Sequence, residues 1–230
     1  MRFLSVAVLA CMVLTGPGGV SGAAPRRSSS AKAQPPEPAL VRVRIATSDG
    51  VLVIALDSRR APLTTANFLA YVDDGRFDGT TFYRAARNPS VPTLGFVQGG
   101  IGTDARRMLP PVPMETTAKT GIHHDNLVVS MAHGPDPNGA TGNFTIALGP
   151  APSLDAHGGW LGYAAFGHLV SGMDTVKRIL AESSGGGSGP MRGQMILKPV
   201  KLISARRLDG APRPTGMVKP WLLGIPSSAQ

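Results

Sequence analysis

The stretch Phe77–Arg84 (FDGTTFYR), followed downstream by Gln98–Gly100 (QGG), decides how this chain is interpreted. Its second half, Thr80–Arg84, is rich in β-branched and aromatic residues, which predicts a strand. Arg84 ends this strand among apolar residues rather than in a charge cluster. A guanidinium at a pocket wall can donate fixed hydrogen bonds without transferring a proton. Arg84 is therefore the candidate functional residue, the alternative being an exposed charge at a strand end.

Hydrophobic periodicity on both sides of this stretch predicts a mainly β domain. Val41–Ile45 alternates strictly, Asp49-Gly50 is a hairpin turn, and Val51–Leu56 returns as a second strand. Further strand-like runs are Thr80–Tyr83, Phe96–Gln98, Leu127–Met131, Phe144–Leu148, Tyr163–Phe166 and Met195–Ile203. Amphipathic helices are predicted from Pro62 to just before Gly75 and at Met173–Ala181. We expect a closed eight-stranded antiparallel β-barrel capped by two α-helices.

The two ends of the chain differ in composition from this domain. A short positive start, an apolar run at Phe3–Leu14 and small residues at Val20–Ala24 predict a signal peptide over residues 1–23. The apolar run is too short to span a bilayer, and no later segment approaches ~18 apolar residues. The sequence thus predicts a periplasmic or secreted protein with no stable membrane insertion after signal removal.

Cys11 is the only cysteine, so the mature chain is expected to contain none. Disulfides and thiolate zinc sites are then excluded. Leu9–Cys11 also resembles a lipoprotein signal, which leaves lipidation at Cys11 as an alternative. Against it, Met12–Leu14 continues the apolar run past the cysteine.

Residues 24–38 are rich in Ser, Pro and Ala and are predicted to be a flexible linker. The Pro-rich C-terminal tail, residues 210–230, has a similar composition. Between them, residues 39–209 form one predicted domain of roughly 170 residues, a usual size for a full core. Whether Trp221–Leu223 docks on this domain or on a partner stays open.

Charge and motif content exclude several classes of function. The net charge is +9, but residues 39–210 hold seventeen Lys/Arg against thirteen Asp/Glu, and no basic block with aromatics occurs, so no nucleic-acid partner is expected. GxSxG, HExxH and P-loop motifs are absent. Ser153, Asp155 and His157 are interpreted as a polar turn rather than a local triad. His123 and His124 are expected to point to opposite faces, with no third ligand at a suitable spacing, so no metal site is predicted.

Several motifs, in order, resemble those of the cyclophilins, the barrel-fold peptidyl-prolyl isomerases. The similarity extends over residues 40–208. The motifs are Ala61–Phe68 (APLTTANF), Phe77–Arg84, Gln98–Gly100, Ser130–Ala132 (SMA), Thr141–Ile146 (TGNFTI), Leu154-Asp155, Tyr163–Gly167 (YAAFG) and Gly172–Asp174 (GMD).

The resemblance implies that the protein accelerates cis/trans exchange at X–Pro bonds of proline-containing polypeptides, as a monomer and without a cofactor. It makes Arg84 the catalytic residue, donating to the amide side of the proline. The implied substrate-binding residues are Gln98 and Asn143 toward the peptide backbone, Phe96, Met131, Leu154 and Tyr163 in the proline pocket, Ala132 and His133 along the substrate main chain, and Thr145 at a pocket position.

The sequence also departs from the family pattern. Tyr83 replaces a histidine, Asn143 is one methylene shorter than the family's Gln, and Thr145 and Ser153 stand where aromatics are expected. An insertion at Ala85–Leu94 lengthens the connection between Arg84 and Gln98. Two hypotheses follow: a prolyl isomerase that assists the folding of exported proteins, or a catalytically weak cyclophilin-fold binding module or chaperone. A ring from the insertion or from Trp160 could replace the missing pocket wall.

Overall fold

The hairpin that starts the barrel shows how alternating side chains set its inside and outside. In the computed structural model, which describes residues 36–223, β1 (Leu40–Thr47) turns Val41, Val43 and Ile45 inward, each fully buried. β2 (Gly50–Asp57) pairs back antiparallel, with Thr47 opposite Gly50. The predicted signal peptide with Cys11, residues 24–35 of the predicted linker, and residues 224–230 lie outside the described residues.

Eight strands close into one antiparallel barrel, as the sequence predicted. The remaining strands are β3 (Thr80–Arg87), β4 (Gly95–Gly100), β5 (Val128–Met131), β6 (Asn143–Leu148), β7 (Ala165–Ser171), β8 (Ser184–Gly185) and β9 (Met195–Arg207). The order β1-β2-β7-β5-β6-β4-β3-β9 is closed by pairing of β9 with β1. Closure leaves no open edge on the barrel, and β8 is a two-residue addition paired with β9.

Two helices cap the barrel, and a third is a single turn. They are α1 (Pro62–Asp73), α2 (Thr117–Thr120) and α3 (Met173–Ala181). α3 has the predicted bounds. The Arg87 side chain, from β3, caps its C-terminus by donating from Nε to the Leu180 carbonyl oxygen at 2.7 Å. The one-turn α2 was not predicted, because four residues carry too little periodicity to detect. Within residues 36–223, no helix is long and apolar enough to cross a membrane.

The core contains a cluster of aromatic rings, two of which come from the stretch Phe77–Arg84. Phe77 and Phe82 are fully buried, and both rings lie within 6 Å of the Phe144 ring, at 5.5 and 5.7 Å between centroids. Phe68 joins them from α1, 4.9 Å from Phe77 and 5.2 Å from Phe144. Phe82 and Phe144 are therefore core residues.

Among the strand boundaries that differ from the sequence prediction, two lie next to the site residues. Ala85 and Ala86 do not form a loop, because they continue β3 and pair with Val97 and Phe96. The inserted loop is thus residues 88–94 only. Tyr163 precedes β7 instead of opening it, because the residues from 162 to 164 belong to a loop and regular pairing begins at Ala165.

The C-terminal residues 210–223 run back over the domain, which answers the question left open by the sequence. Thr215 donates from its backbone N–H and its hydroxyl to the Asp74 carboxylate at 2.8 and 2.6 Å. The Trp221 ring lies over the guanidinium of Arg76, with Cζ 4.8 Å from the ring centroid. Trp221 therefore docks on the barrel.

Helix α1 starts without a capping side chain of its own, because its N-cap residue is Ala61. The buried carboxylate of Glu115, remote in sequence, takes that role. It accepts from the backbone N–H of Leu63 and Thr64 at 3.2 and 2.8 Å, and from the Thr64 hydroxyl at 2.7 Å. These bonds satisfy donors that a helix N-terminus leaves unpaired, and a negative charge suits that end of the dipole.

We expect Glu115→Ala to lower the free energy of unfolding by about 1–3 kcal/mol, because it leaves buried donors without an acceptor. Urea denaturation followed by circular dichroism measures this. Glu182→Ala is the control, since it removes the same charge at the far end of α3. An unfolding midpoint equal to that of the wild type would contradict the capping role of Glu115.

Candidate functional site

Four polar side chains form one row across neighbouring strands of the barrel. Arg84 on β3 is paired with Gln98 on β4, Gln98 with Thr145 on β6, and Thr145 with Ser130 on β5. The residues that alternate with them, such as Phe144, are buried in the core. Because successive side chains on a strand point to opposite faces, the row lies on the outer surface.

A bulge in β3 places Arg84 in this row. Phe82 pairs with Gly99, and Arg84 with Gln98, so that Tyr83 is an extra residue in β3. In a strand without a bulge, Arg84 would share the inward face of Phe82, since residues two apart point the same way. The close approach of β4 also requires glycine, because a Cβ on Gly99 would lie 2.8 Å from the Phe82 ring.

The Arg84 guanidinium is held from two sides. Its Nε donates to Gln194 Oε1 at 2.8 Å, and its Nη1 donates to Gln98 Oε1 at 2.9 Å. Its Cζ lies 5.0 Å from the centroid of the Phe96 ring. With a longer contact from Nη2 to the Pro190 carbonyl oxygen at 3.5 Å, the described residues engage three of the five N–H groups. Two N–H groups remain for a ligand.

Gln98 and Tyr83 extend the network. Gln98, only 8% exposed, donates from Nε2 to the Tyr83 hydroxyl oxygen at 2.9 Å. Burial raises the pKa of Tyr83 to about 12, although the bond from Gln98 and the charge of Arg84 act in the opposite direction. Burial also lowers the pKa of Arg84, while Tyr163 and Tyr83 act to raise it. Tyr83 therefore stays protonated at neutral pH, next to a charged Arg84.

Half-buried rings form the other wall. Tyr163 stacks on His133, with ring centroids 4.5 Å apart and planes at 29°. The Tyr163 backbone N–H donates to the Leu154 carbonyl oxygen at 3.0 Å, which brings Leu154 to the same wall. Both His133 ring nitrogens face carbonyl oxygens, Nδ1 that of Gly134 at 2.7 Å and Nε2 that of Gly162 at 3.0 Å.

Three predicted site residues are engaged within the fold. Asn143 uses both ends of its amide on Gly102, accepting from its N–H at 2.8 Å and donating to its carbonyl oxygen at 2.9 Å. The Ala132 N–H donates to the Asn143 carbonyl oxygen at 2.9 Å. Met131 is 1% exposed and belongs to the core cluster. The structure thus brings Phe96, Gln98 and Arg84 together most directly, with Asn143 shaping the loop at Gly102.

The middle of the site is polar where the family resemblance led us to expect rings. Thr145 Oγ1 lies 2.8 Å from Ser130 Oγ, so this pair is held by a hydrogen bond between hydroxyls. Ser153 is exposed on a short 3-10 helix, Pro152–Leu154. Neither residue supplies apolar surface comparable to a phenylalanine or tryptophan.

The expectation for His123 and His124 was wrong in its geometry. Residues 121–125 are not a strand, and both imidazoles turn toward Asp155, with Nδ1 3.2 and 2.7 Å from its carboxylate oxygens. Burial lowers the pKa of His124, with Asp155 opposing. Among residues 36–223, no three His, Cys, Asp or Glu side chains are grouped to hold a metal ion.

The turn at Ser153 is bonded through backbone oxygens and the Asp155 carboxylate. His157 Nδ1 faces the backbone oxygen of Asp155 at 2.7 Å, whereas the Asp155 carboxylate serves His123 and His124. The site chemistry that remains is directed hydrogen-bond donation by a fixed cation beside apolar rings. Such a site can polarise or hold a neutral peptide group without attacking it.

Sequence reasoning missed two residues that orient Arg84. Tyr83 was noted only as a replacement for histidine, although its place next to Arg84 was the available signal. Gln194 lies 110 positions away from Arg84 in the chain, on the segment before β9, and no local pattern indicates it. Only closure of the β3–β9 pair brings the two side chains together.

Comparison with known proteins gives consistent results. The model of the cyclophilin type peptidyl-prolyl cis-trans isomerase family matches residues 42–205. A peptidyl-prolyl cis-trans isomerase of Streptomyces antibioticus is 34% identical over 170 residues, covering 72% of this chain and 98% of the relative. Peptidyl-prolyl cis-trans isomerase A of Dickeya dadantii is 29% identical over 164 residues, covering 70% and 84%. Relatives also occur in fungi, including one of Schizosaccharomyces pombe at 29% identity over 167 residues.

Solved structures share the fold. A crystal structure of a Cryptosporidium parvum cyclophilin type peptidyl-prolyl cis-trans isomerase superposes with a TM-score of 0.56 at 21% identity, covering 75% of this chain and 99% of that one. A second structure of it, obtained in the presence of the dipeptide Ala-Pro, gives 0.57 at 20% identity, covering 74% and 99%.

Proposed function

The chain belongs to the cyclophilin type peptidyl-prolyl cis-trans isomerases, and from that premise we propose that it accelerates X–Pro isomerisation during the folding of exported proteins, with Arg84 stabilising the twisted amide. The observation that carries this proposal is the fixed guanidinium, held by Gln98 and Gln194, with two of its N–H groups not engaged by residues 36–223.

The chemistry needs no broken bond. Amide resonance creates a rotation barrier of ~18–20 kcal/mol, and twisting the bond returns lone-pair character to the proline nitrogen. An N–H of Arg84 donates to that nitrogen only when the amide is twisted. An interaction that forms only in the transition state lowers the barrier.

The supports of Arg84 give it the character of a preorganised donor. Gln98, Gln194 and the Phe96 ring fix its orientation before a peptide arrives, so little reorganisation accompanies catalysis. The proline ring lies against Phe96, Leu154 and Tyr163 in this proposal, with His133 behind Tyr163. The Ala-Pro dipeptide used with the Cryptosporidium parvum protein supports proline-containing polypeptides as the substrate class.

A proline-limited refolding assay tests the activity. We expect catalytic amounts of the protein to accelerate the slow phase of refolding, which reflects X–Pro exchange over tens of seconds. The same acceleration is expected for cis/trans exchange of a short X–Pro peptide, measured by NMR. No acceleration in either assay, with a folded protein at micromolar concentration, would contradict the proposal.

A second candidate function is a binding module or chaperone of low catalytic power. The polar pair Thr145–Ser130 and the exposed Ser153 favour it, because they reduce the apolar surface available to a proline ring. This function predicts saturable binding of proline peptides without faster exchange, so the same assays separate the two.

We also propose that residues 1–23 are removed on export and that the mature protein is a periplasmic or secreted monomer. The apolar run at Phe3–Leu14 and the small residues after it support export. Cell fractionation with N-terminal sequencing of the mature protein tests this, and light scattering tests the monomer. A mature protein that begins at Met1 would contradict export by signal cleavage.

A further inference from the structure

A short hairpin arm, Asp155–Gly162, precedes Tyr163 at the site wall. His157 and Trp160 exchange both backbone hydrogen bonds, at 3.0 and 2.8 Å. Gly158 and Gly159 between them have φ of +53° and +86°. A two-residue turn of this kind needs positive φ at both central positions, which glycine adopts without a Cβ clash. The arm is therefore a defined hairpin.

The start of the arm is fixed to other parts of the fold. The Asp155 carboxylate accepts from the His124 backbone N–H at 2.9 Å and lies 2.7 Å from His124 Nδ1. The next residue, Ala156, donates its N–H to Thr117 Oγ1 at 2.9 Å. The His-Asp cluster that catalysis does not use therefore has a structural role, because it orients this arm.

The arm carries a half-exposed indole next to the site. Trp160 is 42% exposed, and its ring meets the edge of Tyr163, with centroids 5.8 Å apart and planes at 79°. Tyr163 in turn stacks on His133. His133 also holds the end of the arm, since its Nε2 lies 3.0 Å from the Gly162 carbonyl oxygen. A continuous series of rings thus leads from His133 through Tyr163 to Trp160.

Single exposed apolar residues are common on protein surfaces and need no explanation. Trp160 differs because a hairpin anchored at both ends presents it, and because its ring continues the wall of the site. A rigid aromatic side chain gains contact area at a low cost in conformational entropy. The exposed Ser153 leaves room for such a contribution at this wall.

We propose that Trp160 forms a recognition subsite for a large apolar or aromatic residue that flanks the proline of the substrate polypeptide. This inference rests on the proposed function, because it assigns a sequence preference to the same site. Trp160 is a specificity-determining residue here, and Arg84 remains the catalytic one. Polypeptides with Leu or Phe beside proline are the preferred substrate class.

Intrinsic fluorescence gives a direct test, because the chain has two tryptophans. Trp221→Phe leaves Trp160 as the sole reporter and keeps a ring over Arg76. The probes are two peptide pairs, Ala-Leu-Pro-Ala with Ala-Gly-Pro-Ala and Ala-Ala-Pro-Leu with Ala-Ala-Pro-Gly, so that each side of proline is tested. We expect a saturable change in Trp160 emission, with one leucine peptide binding about 5- to 10-fold tighter than its glycine partner.

Binding by calorimetry then compares variants. We expect Trp160→Ala to remove most of the leucine preference, Trp160→Phe to keep part of it, and Leu40→Ala, an exposed residue on β1, to keep all of it. A folded Trp160→Ala protein with the wild-type preference would overturn the subsite, as would unchanged Trp160 emission at saturating peptide.

These outcomes are separable from failure of the proposed function. A protein without isomerase activity whose Trp160 still reports leucine-selective binding supports the subsite and contradicts catalysis. An active isomerase whose peptide preference survives Trp160→Ala contradicts the subsite alone.

Discussion

Replacing Arg84 by alanine is expected to lower kcat/KM for X–Pro isomerisation by about 100- to 1,000-fold, the usual effect of removing one preorganised transition-state donor. The alanine variant loses the only cation in the polar row Arg84–Gln98–Thr145–Ser130. Since the proposed bond forms with the twisted amide and not with the planar one, the loss is expected mainly in kcat. Peptide exchange spectroscopy measures it directly.

Two further variants make the test specific. Arg84→Lys keeps the charge but cannot donate to Gln98 and Gln194 while facing a ligand, so we expect it to recover little of the activity. Arg44→Ala removes an exposed arginine from β1, outside the row, and is expected to behave like the wild type. Equal rates for the wild type and a folded Arg84→Ala protein would refute the role of Arg84.

Replacing Asp74 by alanine is expected to have the largest effect on stability, about 3–5 kcal/mol. Asp74 and Arg76 are 3% and 1% exposed, and Arg76 Nε lies 2.8 Å from Asp74 Oδ2. Arg76 also donates to the carbonyl oxygens of Arg107 and Val218, at 3.2 and 3.3 Å. Without Asp74, a buried guanidinium loses its counter-ion, and the C-terminal segment loses its anchor at Thr215.

Thermal unfolding measures the stability loss of Asp74→Ala, which we expect as a decrease in Tm of roughly 6–20 °C. Asp174→Ala is the matched control, because that carboxylate is 84% exposed and pairs with Lys177 at 3.4 Å, an arrangement worth about 0–1 kcal/mol. Thr215→Ala removes only the hydroxyl bond from the tail to Asp74 and keeps the backbone one, and a loss of about 1–2 kcal/mol is expected. A loss for Asp74→Ala no greater than that for Asp174→Ala would show that the buried pair does not hold the tail.

The pH dependence of stability has a definite sign for Asp74. Burial acts to raise the pKa of this carboxyl group, but hydrogen bonds from Thr215 and Arg76 outweigh it, so the folded-state pKa lies below the ordinary value. The stabilisation is therefore complete above the unfolded pKa, near 4, and is lost as the pH falls through the folded pKa. Asp74→Ala is expected to remove this part of the acid sensitivity.

The local periodicity of apolar residues predicted most of the fold, because each strand and helix carries its own periodicity. The strict alternation of Val41–Ile45 and the apolar face of Met173–Ala181 are readable from their own neighbours alone. Boundaries were less predictable where long-range pairing extends a strand, as at Ala85 and Ala86, which β4 recruits into β3. The N-terminal cap of α1 was also invisible, because its acceptor, Glu115, comes from a distant loop.

The site was also predictable only in part from the local sequence. The motif identified Arg84 and Gln98, but the direction of Arg84 depends on the extra residue in β3, and a bulge is defined by the partner strand. Gln194 reaches Arg84 only through barrel closure. The sequence likewise raised Trp160 as a possible replacement for a missing ring, without locating it.

The sequence by itself determined the closed eight-stranded barrel, its two capping helices and the cyclophilin family, since periodicity and ordered motifs are local properties of the chain. Tertiary structure alone decided which face carries Arg84, what holds its guanidinium, how Trp160 meets Tyr163 and where Trp221 docks. Each of these depends on contacts between residues far apart in the chain, and such contacts exist only once the barrel has closed.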